Sequence, residues 1–248
     1  MKPPPFRNIF LVLFAVCLSS PAFAQTGVPI FNAVQDATGN TEYSVTLQLL
    51  ALMTFLTILP SVLLMMTAFT RIIIVLSLLR QALGTAQTPP NTVLLGLALF
   101  LTIFVMEPTF RLVYEQAFIP YSEGQLGFED ALMVAQVPVK EFMLSQTREQ
   151  DLAVFVAMSD NMQINQPMDT PLTTLVPAFL TSELKSAFII GFMLYIPFII
   201  IDLVVASILM SMGMMMLSPM IISMPFKLLL FVMVDGWSLI MTSLSNSY

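Results

Sequence analysis

Residues 186–217 read SAFIIGFMLYIPFIIIDLVVASILMSMGMMML, and the run then breaks at Ser218-Pro219. These thirty-two residues carry one charge, Asp202, and end in five methionines within the seven positions 210–216. At about 1.5 Å per residue they make roughly 48 Å of helix, more than the ~30 Å hydrocarbon core of a bilayer. Such a run belongs to a membrane-associated helix, and the chain is read outward from it as an all-α membrane protein.

Composition agrees with that reading. Hydrophobic residues make up 57% of the chain and charged residues 10%, against roughly 25% charged in an ordinary soluble domain. The formal charge of −6 is spread without any basic cluster, so nucleic acid is not an expected partner. Histidine is absent and Cys17 is the single cysteine, which removes imidazole acid–base chemistry, Cys/His metal sites and a disulfide framework together. No GxxxxGK loop occurs, so energy from a nucleotide would have to come from another protein. Neither a catalytic centre nor a cofactor is expected.

Residues 1–24 have Lys2 and Arg7 before an apolar run, then Ala22-Phe23-Ala24. This is the pattern of a secretory signal peptide cleaved between Ala24 and Gln25. Acylation of Cys17 fits less well, because Phe14-Ala15-Val16 is bulkier than a lipoprotein site prefers. Residues 25–44 are a polar segment. Residues 47–69 are uncharged, with Pro60 predicting a kink, and the helical pattern continues through Arg71 and Arg80 to Gly84. Residues 92–106 form a second uncharged segment, so residues 45–106 are read as a first helical hairpin. Arg71 and Arg80 are nine residues apart, on nearly opposite helix faces. They are expected as cytoplasmic topology anchors, or else as contacts to a neighbouring subunit or a lipid headgroup.

Residues 107–182 form an acidic helical region. Between positions 107 and 169 ten acids face three bases, which places this region outside the cytoplasm. Pro138 is read as the first turn of an amphipathic helix ending near Ser159. Residues 183–248 form a second hairpin with a methionine-rich end, turning between Ser218 and Pro219. The predicted architecture is therefore two long helical hairpins, about four hydrophobic helices, with a small extracytoplasmic helical insert.

Several blocks are specific enough to carry a resemblance. They are FTRIIIVLSLLRQALGT (69–85), Pro89-Pro90-Asn91, LGLALFLTIFVMEP (95–108), PAFLTSELKSAFIIGF (177–192), IPFIIIDLVVASILMSMGMMMLSP (196–219) and MPFKLLLFVMVDGW (224–237). In these the chain resembles the FliP family of flagellar biosynthesis proteins, core subunits of the flagellar and virulence type III export gates. Ile189 departs from the pattern, where a polar residue is expected. The resemblance implies a non-enzymatic subunit of the bacterial inner membrane and flagellar basal body. It implies a homo-oligomer, a pentamer, joined to FliQ- and FliR-type subunits in a channel core of helical symmetry. Unfolded flagellar subunits would pass through that core, with membrane lipid around it.

In that setting the methionines acquire a role. Unbranched thioethers re-pack around varied surfaces as β-branched side chains cannot. Met214, Met215 and Met216, with Met212 and Gly213 beside them, are the candidate constriction. The ionisable residues of the apolar region, Glu183, Lys185, Asp202, Lys227 and Asp235, each call for a partner, since a charge at membrane depth costs ~2.5–3.5 kcal/mol. A turn at Ser218-Pro219 sets Asp202 level with Asp235 and leaves Lys227 roughly 13 Å nearer the turn. An Asp202–Lys227 pair within one hairpin is thereby disfavoured, and Asp202 or Glu183 of one copy is expected to meet Lys227 of the next. Glu183 can also be read as a helix-start acid after Thr181-Ser182. The level aspartates raise one alternative function, a proton-coupled transporter using Asp202 and Asp235.

Overall fold

The computed structural model describes residues 44–85, 88–159, 166–214 and 217–248. The expected cleavage site at Ala24 and Gln25 lies outside them, as do Met215 and Met216. The chain divides into two units, Met1–Leu56 and Thr57–Tyr248. All regular structure among the described residues is helical.

The described part of the first unit is the opening of α1 (Ser44–Met65), which continues into the second unit. This helix runs through Pro60. The break falls further on, at residues 66–68 before α2 (Phe69–Ala82) begins, where the sequence pattern reads as one continuous helix. Local polarity explains the break: the Thr67 hydroxyl donates to Leu64 O at 2.7 Å and accepts from the Phe69 N–H at 3.3 Å, replacing the continuing helical bonds. Gly84, at φ +76°, closes the α2 end in the left-handed conformation that favours glycine. α3 (Asn91–Val105) then folds back on α2.

After α3 come α4 (Glu107–Val113), a π-helical turn (Tyr114–Phe118) and α5 (Ile119–Ser122). Next are α6 (Phe128–Gln146) and α7 (Glu149–Met158), then a single 3-10 turn (Pro167–Asp169). The amphipathic helix expected to start at Pro138 is two helices, and Pro138 is internal to the first of them. The real start comes after Gly127, with Glu129 and Asp130 in the first turn, where the helix dipole favours acids. The break at Thr147-Arg148 is held by Ser182, whose hydroxyl accepts from the Arg148 backbone N–H at 3.0 Å and donates to Asp151 Oδ2 at 2.7 Å. Lys140 reaches across to the carbonyl of Met168 and ties α6 to the 3-10 turn. A small core of Met143, Leu175 and Phe179 joins this region to the long helix after it.

That long element is α8 (Leu172–Ser211), forty residues with Pro177 and Pro197 inside it. Glu183 is therefore mid-helix and not at a helix start. α9 (Pro219–Met233) returns along α8, and α10 (Gly236–Ser245) leaves α9 at an angle of 65°. Among the described residues α8 is the one helix long and apolar enough by itself to cross a membrane. Three further pairs, α1 with α2, α3 with the helices after it, and α9 with α10, reach that length and apolarity only as bent combinations.

The core forms where α2 lies on α8. Ile72, Val75, Leu76, Leu79, Ala82 and Leu83 recur at helical spacing on one face of α2 and are buried with Leu94 and Ala98 of α3, Ala187 and Phe198 of α8, Phe231 of α9, and Ile240 and Leu244 of α10. The α2–α8 approach is close at Gly191, where a Cβ would come within 2.3 Å of Leu78 Cδ1. We expect Gly191→Val to cost about 1–3 kcal/mol through overpacking. Adding Leu78→Ala should recover a large part of the loss, as read by thermal unfolding of the detergent-solubilised protein. Equal melting of Gly191→Val and the native chain would show that the contact is slack.

Candidate functional site

The candidate site comprises two buried ion pairs along α8 and the methionines beyond the second of them. The first pair sits where α2 crosses α8. Arg71 is 4% exposed and Glu183 is fully buried. The guanidinium takes the carboxylate in a fork: Nε donates to Oε2 at 3.0 Å, and Nη2 donates to Oε1. Its remaining donors are also used, Nη1 to Ser247 O at 2.7 Å and Nη2 to Gln146 Oε1 at 3.1 Å. Tyr248 lays its ring over the guanidinium, 3.9 Å from Arg71 Cζ to the centroid, and its hydroxyl donates to Glu183 Oε2 at 2.9 Å. Arg71 is thus an internal joint linking α2, α6, α8 and the segment after α10, not a topology anchor at a membrane surface. A planar fork with this many donors suits arginine and not lysine.

Burial pushes the Tyr248 phenol well above its ordinary value, and the neighbouring Glu183 carboxylate pushes it the same way. The proton therefore stays on Tyr248 while the fold is intact. A raised folded value gives stability that is present below the ordinary tyrosine pKa, about 10, and is lost as pH rises through the folded one.

The second pair lies between α8 and α9. Lys227 is 1% exposed and donates to Asp202 Oδ2 at 2.6 Å and to the carbonyl of Ala82 at 3.1 Å. The Ser223 hydroxyl donates to Asp202 Oδ1. The pairing disfavoured by a turn at Ser218-Pro219 is thus formed within one chain. The reason is where the hairpin turns. α8 stops at Ser211, Gly213 takes φ +74°, and α9 starts at Pro219. The midpoint of the turn therefore falls near positions 214 and 215, and Asp202 and Lys227 stand opposite each other across it. The charges expected to bridge between copies, Asp202, Glu183 and Lys227, are all satisfied internally.

Asp202 and Asp235, the two carboxylates of the transporter reading, are not brought together. Asp202 is engaged by Lys227, while Asp235 is exposed at the bend before α10, with φ +51°. Arg80 faces away from Arg71, as their spacing requires, and donates to Asn91 Oδ1 and Pro89 O. That contact pins the α2–α3 connection. The end of the hairpin is open: Met210, Met212 and Met214 are 63%, 67% and 42% exposed, and Gly213 has nothing near its Cα that a Cβ would meet.

Sequence reasoning missed Ser223, Gln146, Ser247 and Tyr248. Ser223 could have been found, since it stands one helical turn before Lys227 on α9. The other three carry no local signal and are joined to Arg71 only by the tertiary fold.

The described residues make a helical subunit with exposed apolar faces, one helix long and apolar enough to cross a membrane, and two buried ion pairs. A sequence profile of the FliP family matches residues 52–244. Similar proteins named flagellar biosynthetic protein FliP include that of Cereibacter sphaeroides, 56% identical over 87% of this chain and 72% of its own length. That of Pectobacterium carotovorum subsp. carotovorum is 57% identical over 85% of this chain and 81% of its own. That of Bacillus subtilis is 54% identical over 83% and 93%. The chain belongs to the FliP family, and its function is that of a flagellar export apparatus subunit.

Removing one member of a buried pair leaves the other uncompensated, at a cost of about 3–5 kcal/mol. Glu183→Ala should accordingly destabilise more than the double replacement Arg71→Met with Glu183→Leu; the reverse order in thermal unfolding would place the pair in a wetter setting. In an absorbance titration, one tyrosine should resist ionisation through the ordinary range. Tyr248→Phe should remove that resistant component, and loss of a different component would contradict the buried phenol.

Proposed function

We propose that the chain is the core channel-forming subunit of the flagellar type III export gate in the bacterial inner membrane. Several copies, five by the family resemblance, assemble with FliQ- and FliR-type subunits into a closed channel through which unfolded flagellar subunits pass. The chain has no catalytic centre of its own in this reading. Residues 1–24 are removed as a signal peptide, residues 107–182 form the extracytoplasmic insert, and the two hairpins line the assembly.

The observation that carries this reading is the methionine loop between α8 and α9, exposed at the end of a hairpin whose register is locked by a buried ion pair. The Asp202–Lys227 pair together with Ser223 and the Ala82 carbonyl fixes the base of the loop against α2. Left-handed Gly213 frees its tip. A ring of such segments, carrying Met212, Met214, Met215 and Met216, makes a deformable seal: thioether side chains close against ions yet re-pack around a passing chain. Rigid base and soft tip are what a gate for many sequences needs.

The test combines assembly and transport. Native mass spectrometry of the tagged chain, co-expressed with its neighbouring export-gate subunits, should yield a particle with several copies of it. Replacing the methionines at 212 and 214–216 with alanine should raise ion leakage through assembled particles while subunit export continues. Replacing them with valine should lower export instead, because β-branched side chains adapt poorly. A tight, export-competent gate after the alanine replacement would move the seal elsewhere.

A further inference from the structure

Sulfur is concentrated where α8 ends. Met210, Met212 and Met214 are exposed there, and Met220 follows in the first turn of α9. Outside residues 210–220, no two exposed methionines among the described residues lie within ten positions of each other. The backbone draws the first three together. The Gly213 N–H donates to Met210 O at 3.1 Å and the Met214 N–H donates to Leu209 O at 3.0 Å. These two bonds are the paired closure of a helix whose following residue is left-handed, which is Gly213. The chain thus wraps back on the last turn of α8. Met210, Met212 and Met214 leave the backbone within about one helical turn of each other, ~5.4 Å. An unbranched side chain with three rotatable bonds carries its sulfur over such a distance, and the space beside Gly213 is open.

The donor set is chemically narrow. Between Asp202 and Lys227 no residue carries a charge, and none is histidine or cysteine. Those two flanking charges are engaged with each other. Among the described residues no three His, Cys, Asp or Glu side chains are grouped to hold a metal ion. Calcium and magnesium ask for several oxygen ligands, and zinc asks for thiolate, imidazole or carboxylate. Neutral, polarisable thioethers instead select a soft ion, monovalent copper above all.

We propose that Met210, Met212 and Met214 form a three-thioether site for a soft monovalent cation, Cu(I), with Ag(I) as its analogue. The site is complete within one chain and does not depend on how many copies assemble. Its effect rests on the gate reading above. An ion that ties three sulfurs together removes the re-packing on which a deformable seal relies, so it fixes the tip of the hairpin in one shape. The base of the hairpin, held by Asp202, Lys227 and Ser223, is left as it was.

The test is a titration of the full-length chain in detergent, in a Cys17→Ser background so that no thiol competes. Ag(I) should bind saturably at one ion per chain, and Cu(I) kept reduced with ascorbate should compete for the same site. X-ray absorption of the Cu(I)-loaded chain should show a shell of sulfur alone, and Mg(II) and Zn(II) should displace neither ion. Replacing Met210, Met212 and Met214 together with leucine, a swap that nearly conserves volume, should weaken Ag(I) binding by about tenfold or more. The single variant Met212→Leu should weaken it less, with an unchanged unfolding midpoint, which separates lost ligands from lost folding. Met193→Leu with Met233→Leu, two exposed methionines without close companions, should bind as the native chain does. No saturable binding of Ag(I), or equal binding by the triple variant and the native chain, would overturn the site. Binding that leaves subunit export through assembled gates unchanged would uphold the site and count against the seal, so the two readings fail separately.

Discussion

The fold depends on placing Arg71 out of reach of water. A guanidinium on the apolar face of α2 needs five donors satisfied and a charge neutralised, and this chain supplies them from regions far apart in sequence: Gln146, Glu183, Ser247 and Tyr248. Each is fixed by that demand. α8 must present Glu183 at the height of Arg71, α6 must end beside it, and the segment after α10 must return to it. Apolar packing of α2 on α8 would tolerate slippage by a residue or a turn, because one leucine replaces another at little cost. A buried, multiply bonded charge does not slide. Such a joint sets register more than it adds stability, since the attraction largely offsets the desolvation it requires.

The same logic is repeated at the other end of the helix pair, with a different division of labour. Lys227 bonds to a carboxylate of α8 and to the carbonyl of Ala82 at the close of α2. That carbonyl belongs to the helix end closed by Gly84, where acceptors are no longer used by the helix itself. Three helices thus meet at one ammonium group. Between the two joints lie the buried aliphatic residues of α2 and the close approach at Gly191. Beyond the second joint nothing comparable restrains the described residues, and that is where the methionines are exposed.

Much of this was legible in the residues and some was not. The helical class, the ends of α2 and α3, the long apolar run of α8 and the opposed faces of Arg71 and Arg80 come from spacing, glycine and proline, all local properties. The turn of the second hairpin was misplaced because Ser218-Pro219 is a strong local breaker, whereas the decisive event is left-handed Gly213 five residues earlier. That error moved the register enough to separate Asp202 from Lys227. Pro138 misled in the same way, since a proline inside a packed helix reads as a boundary when context is absent. The partners of Arg71 could not be found locally: nothing in Gln146 or Tyr248 points to a residue more than seventy positions away.

The two prolines of α8 carry a mechanical consequence. Pro177 and Pro197 each lack the amide that would bond the carbonyls of Thr173 and Met193, so the rod is softer at two places along its length. They are twenty residues apart, which at about 100° per residue puts them on nearly opposite sides of the helix. Pro197 lies between the two joints at Glu183 and Asp202, so the softened stretch is clamped to α2 on both sides, whereas Pro177 lies outside them near the start of the helix. Any bending of the rod is therefore confined to its first turns, and the stretch between the joints keeps the length that α2 sets.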